Sequence, residues 1–182
     1  MVVDLVVIIL IFYFMMIGFR RGTWLSTLHF ISSIVSLWIA SQFYKPIAQR
    51  LIVFVPFPKT VAYDTAYAIH FNQLQQRFEN IVAFIILATL AKLILYLIIV
   101  TFDNIVAYQK HQLVSRIIGI ILGLIMSLIV IQIGLYFISL YPEPLIQNQI
   151  AQSLICKRII LNLPYVSQLS LIHISEPTRP ER

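Results

Sequence analysis

The residues of this chain that could do chemistry are few and set in apolar surroundings. Ser26, His29, Ser33, Ser36 and Ala40 recur at steps of three and four, which puts them on one face of a helix. A histidine among hydroxyls can relay a proton or line a polar path. The plainer reading is a packing seam, because small residues let helices approach and serines can hydrogen-bond across the gap. Lys92 is the outlier. It stands near the middle of an apolar run from about Asn80 to Phe102, about 15 Å from either end at about 1.5 Å per residue, further than a lysine stem can reach. A lysine charge facing lipid at that depth costs at least about 2.5 kcal/mol, so Lys92 must face the interior of a helix bundle. Thr89 and Tyr96 share its face. Two arrangements satisfy it: pairing with polar groups of the second apolar run, or lining a small hydrated cavity.

The elements of an enzyme are missing from the sequence. It has no glycine-rich phosphate loop, no G-x-S-x-G, no HExxH and no paired carboxylates. Asp4, Asp103 and Glu143 fall at the edges of apolar runs, where solvated carboxylates are ordinary. The lone cysteine, Cys156, has no internal disulfide partner and no metal-site spacing around it. No catalytic residue, cofactor or metal is therefore expected. The net charge of +6 does not point to nucleic acid, because the basic residues are scattered over connecting segments and line no single face.

Composition says what must position these side chains. Sixty per cent of the 182 residues are hydrophobic and 11% charged, with a mean hydropathy of +0.91, far from the quarter or so charged that a soluble domain carries. Apolar runs recur along most of the length, which one removable signal segment would not explain. The expectation is an all-α polytopic membrane protein, since about 20 apolar residues per helix cross a bilayer with every backbone group satisfied. Four spans fit: residues 2–18, 23–44, 80–102 and 114–141, the last ending at the prolines of "YPEP". Trp24 and Tyr44 near the ends of the second span suit the headgroup level.

"GFRRG", Gly18 to Gly22, separates the first two spans by so little that the chain must turn back at once. Gly18 and Gly22 are expected to supply the backbone freedom for that turn. Arg20 and Arg21 then lie at one membrane surface, and the loop with Lys110, His111 and Arg116 falls on the same side. The positive-inside bias makes that side cytoplasmic and both termini external. Against it stand Lys45, Arg50, Lys59 and Arg77 in the middle segment and Lys157 and Arg158 in the tail. The middle segment, 45–79, places Tyr63, Tyr67, Phe71, Leu74 and Phe78 on one helical face and Asp64, Asn72, Gln75, Gln76 and Arg77 largely elsewhere. That pattern predicts an amphipathic helix lying in the interface.

The fourth span opens "SRIIGIILGLIMS", with Ser115, Gly119, Gly123 and Ser127 four apart. This row is the stronger packing signal, and it can join the second span of the same chain or the same row of a second copy. Gln132 is expected to hydrogen-bond to a neighbouring helix. From Leu169 to Arg179 the chain resembles the conceptual translation of a transposon-type sequencing-library adapter. Residues 169–182 are therefore expected to be a non-native tail, and 1–168 the membrane domain.

Three stretches together resemble the colicin V production protein (CvpA) family. They are an acidic residue opening a first span that ends in "GFRRG" (Asp4, Gly18 to Gly22), "SRIIGIILGL" at the start of the last span (Ser115 to Leu124), and "SLICKRIILNLPYV" (Ser153 to Val166). Many relatives have asparagine where this chain has Ser115, and the extended middle segment resembles the form found in Gram-positive bacteria. The resemblance implies a multi-pass protein of the bacterial cytoplasmic membrane that supports toxin production or export and envelope homeostasis. It brings no catalytic residues with it. Expected partners are the lipid bilayer and other membrane or export proteins, with a homo-oligomer allowed by the glycine row. The competing reading is a small channel or transporter subunit with a polar path through His29, Ser33 and Lys92.

Overall fold

The computed structural model describes residues 2–51, 57, 67–69, 74–106, 113–153, 155, 156 and 159. The elements in chain order are α1 (Val2–Leu51), α2 (Leu74–Val106), α3 (Leu113–Leu140) and the short α4 (Pro144–Gln152). The protein is an all-α polytopic membrane protein, and α1, α2 and α3 are each long and apolar enough to cross a bilayer. The first of them is two helices in one. At Gly22 the backbone takes φ 69° and ψ −174°, a region open essentially to glycine alone. The Ser26 hydroxyl donates to the Gly18 carbonyl oxygen at 3.3 Å. Eight residues of straight helix would hold these groups about 12 Å apart. The chain therefore doubles back, and two antiparallel arms, 2–21 and 23–51, supply the first two spans.

The turn corrects one expectation. Gly22 is the only described glycine at positive φ, and helix continues through Gly18 up to the bend. Gly18 is needed for a different reason: a Cβ there would collide with the backbone carbonyl of Gly119. It serves close approach between helices, and Gly22 alone makes the turn.

The hairpin is the hub. Both α2 and α3 pack mainly on α1 and touch each other little. The first arm lies against α3, where Gly119 faces Gly18 and a Cβ on Gly123 would stand 2.5 Å from the Phe14 carbonyl oxygen. Gly119 and Gly123 thus meet the first arm, which was neither of the partners the sequence offered, whereas Ser115 meets Thr23 at the start of the second. Glycine at these positions brings the helix axes close enough for dispersion between backbones, the main attraction left when lipid is as apolar as leucine. At the hairpin tip Thr23 N–H donates to Ser115 Oγ at 2.8 Å, and Thr23 Oγ1 donates to the Ser115 carbonyl at 3.0 Å. Ser115 thereby accepts from a backbone amide that the sharp bend has removed from its helix ladder. The second arm lies against α2, with the rings of Tyr44 and Phe84 edge to face at 6.3 Å.

The far end of the bundle is closed by polar side chains. After α3 stops at Leu140, Tyr141 bends, Pro142 is buried and Pro144 opens α4. Gln147, on α4, donates to the carbonyls of Ser139 and Tyr141 at 3.0 and 2.9 Å and accepts from Ala68 N–H at 3.1 Å. It satisfies carbonyls left without helical partners at the end of α3. Ser153, just past α4, donates to Asp4 and accepts from Cys156 N–H. Phe78 sits between Phe57 and Phe137 at ring separations of 5.3 and 5.8 Å, and Arg77 donates to the Tyr136 hydroxyl at 3.2 Å.

The middle segment departs from expectation at both ends. Lys45 to Leu51 continue α1 as helix, with Pro46 inside it, and Leu74 to Glu79 are the first turns of α2. Between them Tyr67 carries no regular structure, and Ala68 and Ile69 form a bend. A helix from Tyr63 to Phe78 would have to run through that bend. Leu74 and Phe78 instead pack as the start of a spanning helix, because core aromatics at that end reward continuing it. Lys59, Tyr63, Asp64, Phe71 and Asn72, the Lys110–His111 loop, Lys157, Arg158 and residues 169–182 lie outside the described residues.

Candidate functional site

The hairpin's second arm carries the serine and histidine face inward. Ser26, His29, Ser33, Ser36 and Ala40 are all at most 9% exposed. Their hydroxyls are spent close to home. Ser33 Oγ donates to the His29 carbonyl at 2.8 Å and Ser36 Oγ to the Ser33 carbonyl at 2.8 Å. Such back-bonding leaves a smooth face, with polar groups satisfied inside their own helix. Ser26 is the one of these whose hydroxyl crosses to the other arm.

Lys92 reaches this face from α2. Its Nζ donates to the His29 carbonyl at 2.8 Å and to Ser32 Oγ at 2.5 Å, while Ser32 Oγ donates to the same carbonyl at 2.9 Å. Three side-chain donors, from Ser32, Ser33 and Lys92, thus converge on one helix carbonyl. Tyr96, one turn from Lys92, lays its ring 5.7 Å from the His29 imidazole. Besides these bonds, Lys92 faces a cavity of ≈ 250 Å³.

That cavity lies between the two arms, α2 and α3. Arg21, Ser26, His29, Ser33, Lys92 and Tyr96 line it, alongside Gly18 and Gly123 and the apolar side chains around them. None of the described lining residues is acidic. His29 is about two helical turns below the Gly22 bend, so the cavity runs from the hairpin tip to roughly 10 Å deeper. Arg20 and Arg21, adjacent in sequence, part company here. Arg20 is exposed at the tip, whereas Arg21 is half-buried and turns into the cavity. Arg116, in the first turn of α3, lies 5.2 Å above the Phe19 ring, a cation–π placement that holds a third arginine at the same end.

His29, Ser33 and Lys92, singled out from the sequence, line one cavity, while Ser32 and the inward turn of Arg21 were missed. Ser32 stands one residue off the helical stripe, and its signal was simply adjacency to Ser33. Arg21 was detectable by phase: counted back from a bend at Gly22, it and Gly18 fall on one face of the first arm. Ser127 is fully buried and bonds back to Leu124 O at 2.7 Å. Gln132, 2% exposed, is buried in α3.

A match to the colicin V production protein family spans residues 3–164. The chain belongs to that family. The chain is also similar to "Uncharacterized transmembrane protein YshB" of Bacillus subtilis (strain 168), at 30% identity over 167 residues, covering 91% of this chain and 93% of that protein. No solved structure matches it. The matched stretch takes in residues 3–51 of the hairpin and all of the cavity lining.

Proposed function

We propose that this colicin V production family member is a non-catalytic, multi-pass component of the bacterial cytoplasmic membrane. It supports production or export of a colicin V-like toxin, and envelope homeostasis, by associating with other membrane proteins. The observation behind this reading is the family match over nearly the entire chain. Its wide apolar flanks are compatible with such neighbours: Leu90, Leu93 and Leu97 along α2 are each more than half exposed. In-cell crosslinking from Arg20, at the exposed tip, followed by identification of the captured proteins, tests the idea. Capture of an exporter or envelope component is expected, and capture of the chain alone would overturn it. The tip is assigned to the cytoplasm because Arg20, Arg21 and Arg116 gather there. A cysteine placed at position 20 in a Cys156→Ser background should resist impermeant thiol reagents on intact cells, and labelling from outside would reverse the orientation.

A second reading, a small channel or transporter subunit, is favoured by one observation. His29, Ser33 and Lys92 line a single cavity between the spans. Solute or ion flux into vesicles holding the purified protein, lost on Lys92→Met, is the expected result. Equal flux with and without Lys92 removes this reading.

A further inference from the structure

The cavity carries a specific charge problem. Arg21 and Lys92 both face it, one from the first arm and one from α2, and no described lining residue is acidic. The described carboxylates are elsewhere: Asp4 is bonded to Ser153 at the opposite end of the bundle, Glu79 accepts from Gln75 in the first turns of α2, and Glu143 precedes α4. Two like charges on walls of apolar side chains repel more strongly than they would in water. An anion between them reverses that sign. The donors suit an oxyanion in particular. Arg21 presents a planar fork of N–H groups that matches phosphate oxygens. Lys92 has three N–H donors and uses two of them on His29 and Ser32, which leaves one. The cavity volume of ≈ 250 Å³ accommodates a phosphate group with some of its water.

We propose that the cavity between the hairpin, α2 and α3 is a phosphate-binding site, in which Arg21 and Lys92 hold the oxyanion. Arg21, beside the Gly22 bend, puts the site near the hairpin tip, so the phosphate comes from a phospholipid headgroup or from free phosphate in the aqueous phase. The chemistry recognised is the same. This inference is independent of the role in toxin export, and it holds whether or not solute crosses the membrane.

The full chain, purified in a neutral maltoside detergent, provides the test. One arm measures radiolabelled inorganic phosphate by equilibrium dialysis. The other measures retention of phosphatidylglycerol by native mass spectrometry, with diacylglycerol as the phosphate-free control. Saturable binding in at least one arm is expected, weakened tenfold or more by Arg21→Gln and by Lys92→Met and unchanged by Arg20→Gln, which alters the exposed neighbour only. Binding in the first arm identifies free phosphate as a source, and binding in the second with none of diacylglycerol identifies the headgroup. Absence of binding in both arms overturns the proposal. So does binding that Arg20→Gln lowers as much as Arg21→Gln does, since that is general attraction to a basic tip. Should Lys92→Met fail to fold, Arg21→Gln and its conservative partner Arg21→Lys decide, with the lysine variant expected to retain part of the affinity.

Discussion

At the scale of single residues, the fold depends on a backbone angle more than on any side-chain bond. Gly22 holds φ 69° and ψ −174°, and a Cβ in that region costs on the order of 1–3 kcal/mol. Gly22→Ala should therefore lower the thermal midpoint in detergent by several degrees, and an unchanged melt would show that the tip relaxes freely. Cys156 makes a second residue-level test. It is fully buried, and burial pushes its thiol above the ordinary range. Because a raised pKa means less thiolate at any given pH, maleimide should modify the folded protein slowly near pH 7 and faster only as pH rises beyond the usual thiol range. Denatured protein should react at the rate of a free cysteine. Equal rates for both forms would place the thiol at the surface. Much at this scale was readable in the sequence: a lysine amid apolar residues must find partners, whatever the fold. Which partners could not be read, because Ser32 and the His29 carbonyl are ordinary groups until α2 is laid beside them.

At the scale of elements, four apolar segments were legible from length and hydropathy alone, and the end of α3 falls within one residue of where "YPEP" put it. The seam partner was not. Spacing of Gly119 and Gly123 says that something approaches closely, but any flat helix face satisfies that condition, and here it is the first arm. Fine placement of the middle segment also escaped, because a four-and-three stripe is the same whether a helix lies on the membrane or continues into it. Glycines in α3 supply a controlled comparison. A Cβ at Gly123 would be 2.5 Å from the Phe14 carbonyl oxygen, whereas at Gly134 it would meet nothing within 4 Å. Gly123→Ala should destabilise by about 1–3 kcal/mol, the usual cost of overpacking. Gly134→Ala should be neutral or slightly stabilising, since alanine is the better helix former. Equal melts of the two variants in the same detergent would contradict the close seam.

At the scale of the whole molecule, the two ends of the bundle carry different polar sets. Arg20, Arg21 and Arg116 stand at the hairpin tip, while the polar closure by Gln147, Ser153 and Asp4 is at the other end. That division followed from the sequence once the tight turn was placed, because every later span had to alternate direction. The cavity did not follow, since it depends on the angle between two arms and on which way Arg21 turns. The hub arrangement has a consequence for how stability is distributed. With α2 and α3 each held by the hairpin and barely by one another, the two seams are separable reservoirs of free energy. Phe84→Ala, in the α2 seam, and Gly119→Ala, in the α3 seam, should add to within about 0.5 kcal/mol in the double variant, as distant sites do. A larger coupling would mean that the hairpin transmits strain from one seam to the other, and that its two arms respond as one body.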